Sequence, residues 1–452
     1  MSQAYIISSA LMPDGNRSRL LKVLGVAFGL AIIVGNTIGS GILRSPGDVA
    51  AALPHPAWFI GAWVAGGVYA LLGAMTMAEL AVMIPKSGGQ YVFARRALGE
   101  YPGFVIGWTD WISVCGAIAA TAIALGELSA QLIPSLAGRE NATGVVVIMA
   151  FTAVNWIGVK AGDRTQQLLS LLKVVALLAV AVACFTAPAA SGSATSQPLP
   201  ALPTGLAFVT ALVFVFQNVL YTYDGWNSVT YFGGEMKDPA REIPRAMAYG
   251  VIAVLAVYLA LNAAYLHVLG IGALAHDKFP AATAANLVFG SAGLGVVRAV
   301  MAVTLLGSIN AILMIASRTP WAMSDDGLLP RFVSRVNAGG TPHLALAAST
   351  VATIALVLSG TFQTVLALSA FFYVMQYATS FASLFVLRRR EPDAPRAYRA
   401  WGYPWIPALV LFGALAFIVG NFIGDQANSI RAVVVIAASY PLYLLAKRLL
   451  RT

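Results

Sequence analysis

Long apolar segments separated by short polar stretches recur along the whole chain. A membrane-spanning helix needs about 20 consecutive apolar residues, and twelve such segments can be counted. They lie near residues 21–53, 57–84, 101–134, 143–159, 165–187, 205–233, 246–272, 290–322, 343–359, 362–387, 404–423 and 430–446. The sequence does not repeat the strand-length alternation that is typical of membrane β-barrels. The pattern therefore predicts an all-α integral membrane protein with twelve transmembrane helices.

Small and polar residues interrupt the first span near its middle. Its glycines, which cost roughly 1 kcal/mol each in a helix relative to alanine, alternate with small polar side chains: Gly35, Asn36, Thr37, Gly39, Ser40 and Gly41. Unwound backbone at membrane depth is tolerated where it is buried in protein or lines a cavity. We therefore expect two half-helices, the second beginning near Ile42 with amides and a positive dipole end suited to a carboxylate. A glycine-rich packing face is the alternative.

The sixth span contains a second interruption, at Asp224, Gly225 and Asn227. Such residues are costly in a span unless they face a cavity. The breaks lie five spans apart, so the two segments cross the membrane in opposite directions. Paired breaks of this kind are typical of inverted repeats around a midplane transport site. We predict a 5+5 inverted-repeat core with discontinuous helices 1 and 6, plus two C-terminal helices; the boundaries are 20–187, 205–388 and 404–446.

Composition agrees with a membrane protein, and the charges predict its orientation. The chain is 59% hydrophobic and 10% charged, whereas soluble domains carry about 25% charged residues. Of the 28 Lys and Arg residues, 22 fall at the two ends and in alternate loops, so the net charge of +10 does not indicate nucleic-acid binding. The positive-inside rule then predicts a multi-pass protein of the inner (cytoplasmic) membrane with cytoplasmic tails at 1–19 and 447–452. The first tail lacks the layout of a signal peptide.

The sequence gives little support to metal, redox or catalytic chemistry. Cys115 and Cys184 both lie in apolar spans, so we expect no disulfide-linked partner subunit. The four histidines are scattered. We therefore expect no bound metal and no cofactor, and the absence of a Ser–His pair or a metal-spaced cluster argues against an enzyme.

Lys173 stands in the middle of the fifth span, with apolar runs on both sides. A charge at a helix centre costs at least ~2.5 kcal/mol on insertion scales. Because Lys173 lies too deep to snorkel easily, we interpret it as functional. The alternative is a lysine near the cytoplasmic end of a tilted helix.

Other polar residues within the spans support weaker hypotheses. Glu79 is expected at the membrane interface. For Asp110 and for Glu127, the sequence supports two interpretations equally: a helix–helix hydrogen bond or a role in a cavity. Ser308 and Asn310 are candidate cavity-lining residues.

Charged residues at the span ends predict cytoplasmic contacts. Arg318, Asp325 and Asp326 are expected to form an ion-pair cluster with the loop after span two or span six. The run of arginines at 388–390 is interpreted as a topology and headgroup anchor.

Taken together, the motifs resemble the amino acid–polyamine–organocation superfamily of permeases, especially its L-type and related bacterial amino acid transporters. The similarity covers nearly the whole chain and is specific for family, not for substrate. The residues that carry it are the break of span one, the stretch from Ala78 to Tyr91, Tyr223-Asp224-Gly225-Trp226-Asn227, Glu235 to Pro244, Ser317-Arg318 and Met323 to Pro330.

The resemblance implies alternating access around a substrate held between the broken helices. Amides around Gly39, Ser40 and Gly41 would bind the substrate carboxylate, and carbonyls around Ile38 and at Tyr221 to Asp224 would bind the α-ammonium. Tyr221 takes the position of an aromatic gate. The remaining implied residues are Tyr223 and Trp226 near the gate and Gly225, which would allow close backbone approach.

Two further residues have implied roles with open alternatives. Lys173 is similar to the fifth-span lysine of sodium-independent members. The ammonium of that lysine occupies the place where sodium-coupled relatives of the fold bind a cation, and it couples substrate occupancy to conformation. Proton coupling through Lys173 is the alternative. Asp224 occupies a position where many relatives have glycine. Three roles stay open for Asp224: contact with the substrate, tuning of protonation, or capping of the half-helix.

We therefore expect a secondary active transporter for α-amino acids, by sodium-independent exchange or proton symport. Apolar and aromatic surroundings favour neutral substrates, while Asp224 keeps a cationic amino acid or polyamine permease open as the alternative. The expected partners are the small-molecule amino acid, membrane lipids and, for a symporter, protons. Discontinuous helices argue against a channel. The sequence leaves open the accepted side chains, the coupling mode and the oligomeric state.

Overall fold

Apolar runs form the helices of this protein, and glycine, proline or polar stretches end them. The computed structural model describes residues 20–189 and 201–449. The predicted tail at 1–19, residues 190–200 of the loop after span five and residues 450–452 lie outside the described residues.

Seven helices come from the first half of the chain. They are α1 (Val26–Thr37), α2 (Gly41–Ala52), α3 (Pro56–Met83), α4 (Gln90–Leu98), α5 (Glu100–Leu132), α6 (Glu140–Ile157) and α7 (Val159–Thr186). The second half continues with α8 (Gly205–Tyr223), α9 (Pro239–Ala275), α10 (Pro280–Phe289), α11 (Gly293–Ala316), α12 (Arg318–Asp325), α13 (His343–Ser359), α14 (Phe362–Arg390), α15 (Trp405–Gly424) and α16 (Gln426–Leu449).

The described helices account for twelve membrane crossings. Ten segments are long and apolar enough to span a bilayer, with Pro280–Asp325 counted as one. The bent pair α1 and α2, which meet at 54°, adds an eleventh, and the shorter apolar helix α13 coincides with the predicted ninth span. The predicted all-α, multi-pass membrane fold is therefore confirmed, while the division into two repeats at 20–187 and 205–388 remains a prediction.

Two predicted regions differ in detail. Span six ends as α8 at Tyr223 and is followed by a four-residue 3-10 turn, Ser228–Tyr231, so its second half is shorter than a half-helix. The stretch 272–290, which lies between the predicted spans seven and eight, contains α10. Pro280 opens that helix at a position where proline is favoured, because its missing N–H is not needed there.

The final two helices lie on the outside of the bundle. The centre is built around α9, which packs against α1, α3 and α7, and α5, which packs against α6, α11 and α14. Helix α15 packs against α3 and α14, and α16 against α5 and α14. Their outward faces are apolar: Phe412 is 70% exposed and Ile423 is 79% exposed. Such a surface is suited to contact with lipid.

Candidate functional site

The break between α1 and α2 leaves a short non-helical segment, Ile38 to Ser40. Ile38 is extended, with φ −78° and ψ 96°, and Ser40 precedes α2 without a side-chain cap. The first amides of any α-helix have no partner within the helix. The break therefore presents donors from the start of α2, as predicted, next to the carbonyls that end α1.

Lys173 binds those carbonyls. Its Nζ lies 2.8 Å from Gly35 O, 2.7 Å from Ile38 O and 3.2 Å from Ser308 Oγ, and its side chain is fully buried. Ser308 also donates to Gly35 O at 3.0 Å. An ammonium at the C-terminal end of α1 neutralises the negative end of the helix dipole and satisfies unpaired carbonyls. Lys173 is thus buried deep in the bundle and not at the end of a tilted helix.

Two further polar residues of α7 support the same half-helix. Ser170 Oγ and Gln166 Nε2 donate to Ala31 O at 2.7 and 3.2 Å. Gln166 accepts from Asn310 Nδ2 at 2.8 Å, so Asn310 is buried in this network and does not line the cavity, contrary to the prediction. Residues 166, 170 and 173 follow helical spacing on one face, a polar pattern that is visible in the sequence.

The backbone at the second break approaches the first one closely. Gly225 has φ 113°, and a Cβ at this position would lie 2.9 Å from Thr37 N. Asn36 Nδ2 donates to Ser228 Oγ at 2.8 Å. Tyr258 OH donates to Thr37 O at 3.0 Å and to Thr222 O at 2.8 Å. The two breaks are therefore joined directly and through Tyr258, which sequence reasoning missed.

A cavity of about 290 Å³ opens beside the two breaks. Of the predicted substrate residues it is lined by Gly39, Ser40, Gly41, Tyr221 and Asp224, and Ser308 lines it as predicted. Tyr221 is 60% exposed beside this cavity. The first amides of α2 and a carboxylate thus face one space.

The other predicted residues lie behind this lining. Ile38 is fully buried, and its carbonyl accepts from Lys173, so it is not available to an α-ammonium. At the second break, Thr222 O accepts from Tyr258. Tyr223 OH donates to Trp63 O at 3.1 Å in the core. Trp226 is stacked on Tyr377 with ring centroids 5.0 Å apart. Tyr223 and Trp226 therefore lie behind the cavity wall and do not line the space beside Ser40, whereas Tyr377 does.

Asp224 faces the cavity from the end of α8. Its carboxylate accepts a hydrogen bond from Tyr377 OH on α14. It also accepts from the backbone N–H of Gly225, directly after the end of α8, so this side chain bonds both to a neighbouring helix and to the local backbone.

The remaining acidic candidates have separate outcomes. Asp110 is 1% exposed and accepts hydrogen bonds from Tyr231 OH at 2.6 Å and Thr319 Oγ1 at 2.7 Å, which is the helix–helix role. Glu127 is exposed on α5 and lines neither cavity. The expectation for Glu79 was wrong: it is fully buried.

Glu79 is the centre of a buried charge cluster. Arg388 donates to its carboxylate at 2.9 and 2.6 Å, Arg396 Nε lies 3.2 Å away, and Ala400 N donates at 2.6 Å. Arg388 also lies over the Tyr403 ring at 3.8 Å. The first arginine of the 388–390 run is therefore an internal ion-pair partner and not a headgroup anchor.

Two ion-pair groups join the segments after spans two, six and eight, where a single cluster with Arg318, Asp325 and Asp326 was predicted. Arg318 Nη2 lies 2.9 Å from Glu235 Oε2, and both side chains are almost completely buried. Asp326 lies 2.8 Å from Arg95 and 3.8 Å from Lys86. Arg318 and Asp326 thus belong to two separate groups, one buried and one partly exposed.

Comparison with known proteins identifies relatives over nearly the full length. The family model described as "Amino acid permease" matches residues 21–445. The serine/threonine exchanger SteT of Bacillus subtilis is 29% identical over 94% of this chain and 96% of its own length. The mouse b(0,+)-type amino acid transporter 1 is 28% identical over 90% of this chain and 84% of its own length. The human large neutral amino acids transporter small subunit 2 is 27% identical over 84% of this chain and 72% of its own length.

Proposed function

Because the chain belongs to the amino acid permease family, we propose that it moves α-amino acids across the membrane by alternating access. The observation that carries this proposal is the pair of joined breaks beside one cavity. The carboxylate of a zwitterion fits the amides of Gly39 and Ser40 in the break and of Gly41 at the start of α2. The α-ammonium fits the carbonyls at the end of α8, from Tyr221 to Asp224.

The same geometry supports transport without sodium. Lys173 places an ammonium on Gly35 O and Ile38 O, the carbonyls that a cation would otherwise use. We propose exchange as the coupling mode, because SteT is named an exchanger. Proton symport, with Lys173 or Asp224 taking up the proton, is the second coupling mode.

Neutral amino acids are the first candidate substrates. The names of SteT and of the human relative specify serine and threonine or large neutral amino acids, and the cavity contains several apolar residues of α5 and α11. A cationic amino acid or polyamine is the second candidate, favoured by the single observation that Asp224 lines the cavity.

We further propose that the protein resides in the cytoplasmic membrane with both termini in the cytoplasm. The asymmetry of Lys and Arg between alternate loops supports this orientation. Both cysteines are buried, which supports the proposal that no partner subunit is linked through a disulfide. The proposed repeat boundaries remain 20–187 and 205–388, with 404–446 as an addition.

Counterflow in proteoliposomes tests the function. Liposomes loaded with unlabelled amino acids are offered labelled small neutral, bulky neutral, cationic or acidic amino acids or polyamines, with and without a proton gradient. Accumulation that requires internal amino acid and does not depend on a sodium or proton gradient would support exchange. Accumulation into empty liposomes driven by protons would establish symport, and no uptake of any amine would contradict the proposal.

A further inference from the structure

A second cavity lies on the other side of the α8 break. It has a volume of about 260 Å³ and is bounded by α3, α8, α14 and α15. Four side chains separate it from the first cavity and line both: Tyr221, Asp224, Tyr373 and Tyr377. We call it the lateral cavity, because α8 and α15 have apolar outward faces where Phe214 is 46% and Phe412 is 70% exposed.

Aromatic rings make up much of its wall. Trp226 stacks on Tyr377 with an interplanar angle of 18°, and Phe381 lies parallel to Trp226 at 6.5 Å between centroids. Tyr69 and Phe417 complete the aromatic lining from α3 and α15. Aromatic faces attract ammonium groups by about 0.5–2 kcal/mol, most strongly where water is excluded.

Asp224 is the only charged residue among those that line the lateral cavity. Within the described residues, no Lys, Arg or His forms an ion pair with it. A carboxylate at membrane depth without a cation is costly. The cavity therefore combines a buried acidic side chain, whose charged form an ammonium would stabilise, with rings that bind cations and apolar ligands.

We propose that the lateral cavity binds a lipophilic primary amine, a class of ligand distinct from the amino acid substrate. The ammonium contacts the Asp224 carboxylate and the ring lies among Trp226, Tyr377 and Phe417. The volume, close to the lower end of typical ligand pockets at ~300 Å³, suits one fused ring system with a short alkylamine. Because the amine holds the wall shared with the first cavity, it inhibits transport without occupying the carboxylate site at Ser40.

Binding of tritiated tryptamine to purified protein in lipid nanodiscs tests the proposal, and this readout does not depend on transport. Ala414 lines the lateral cavity alone and is 5% exposed, so Ala414→Phe fills it. Ala408 is exposed on the same helix and lines neither cavity, so Ala408→Phe is the matched control. We expect Ala414→Phe to weaken tryptamine binding at least about ten-fold and Ala408→Phe to leave it unchanged. Skatole, which has the ring without the ammonium, should not displace tryptamine.

Three results would overturn the proposal. Wild-type tryptamine affinity in Ala414→Phe would place the amine elsewhere. Competitive displacement by amino acids would place it in the first cavity. Equal displacement by skatole would remove the role of Asp224. Ala370 lines only the lateral cavity, from α14, so Ala370→Phe provides the same test if Ala414→Phe does not fold.

Discussion

At the scale of single residues, Lys173 shows how one buried charge can organise a break. The carbonyls that end α1 have no partners within the helix, and they lie at the negative end of its dipole. One ammonium satisfies two of them and bonds to Ser308 of α11 as well. The geometry of the break therefore depends on a side chain contributed by a different helix.

Replacing Lys173 tests this dependence. We expect Lys173→Ala to reach the membrane at normal levels but to lose transport by about ten-fold or more, because hydrogen bonds to charged groups contribute about 1.5–3 kcal/mol each. Uptake in proteoliposomes is the measurement. Lys160→Ala is the control, since Lys160 is exposed at the start of the same helix. Wild-type uptake by Lys173→Ala would refute the assignment.

Gly225 is the second residue on which the site depends. Its φ of 113° is strained for any residue with a side chain, and a Cβ would press on Thr37 N. We expect Gly225→Ala to separate the breaks and to lower amino acid affinity, measured by ligand-induced thermal stabilisation. Gly61→Ala has open space in α3 and should be tolerated. Equal affinity in Gly225→Ala would show that this close contact is not needed.

At the scale of elements, charged pairs connect segments that the cavity separates. Arg318, at the start of α12, bonds to Glu235 in the segment after α8 and lies over the Phe232 ring at 4.6 Å. Ser87, after α3, also donates to Glu235 at 3.3 Å. Three connecting segments thus meet at one buried carboxylate and close one end of the bundle.

Breaking this pair should cost more than breaking an exposed one. Arg318→Ala leaves the buried Glu235 without its cationic partner, a loss of about 3–5 kcal/mol. We expect it to appear as a marked fall in the melting temperature of the purified protein. Asp238→Asn removes an exposed ion pair with Arg241 and should change the melting temperature little. Removing both charges with Glu235→Gln and Arg318→Met should recover part of the stability. A melting temperature unaltered in Arg318→Ala would contradict this account.

At the scale of the whole molecule, the cavity extends from the breaks toward one end of the bundle. It reaches Thr121 and Ala124 in the second half of α5 and Leu305 of α11. The opposite end is closed by the Arg318–Glu235 pair and by Gln90, which is 2% exposed and accepts from Ser380. With the proposed orientation, this conformation faces outward.

Cysteine accessibility tests that conformation. With Cys115 and Cys184 replaced by alanine, we expect Thr121→Cys to react with a membrane-impermeant reagent from outside and to be protected by substrate. Ser87→Cys, 1% exposed in this conformation, should react slowly from the cytoplasmic side and faster when substrate drives turnover. Rapid labelling of Ser87→Cys without substrate would indicate that the resting protein opens inward.

Some parts of the site could be predicted from the sequence and others could not. The breaks and Lys173 could be predicted, because glycine and a charge stand out in apolar segments. Close backbone approach at Gly225 was implied by the family resemblance, without the identity of its neighbour. Tyr258 and Tyr377 could not, because a buried tyrosine in a span resembles any other core residue until its hydroxyl partner is known. Glu79 was misjudged because its position near a span end does not reveal that Arg388 and Arg396 fold back onto it.

By itself, the sequence determined the helical crossings, their order and the places where two of them are interrupted. Hydrophobicity, helix propensity and buried charge act over one or two turns, so they can be read along the chain. Only the tertiary structure decided which polar groups meet, since the partners come from distant segments: Lys173 and Ile38 are 135 positions apart and Tyr377 and Asp224 are 153. A carbonyl or carboxylate buried among helices takes the donor that packing brings to it, and no local pattern specifies that donor.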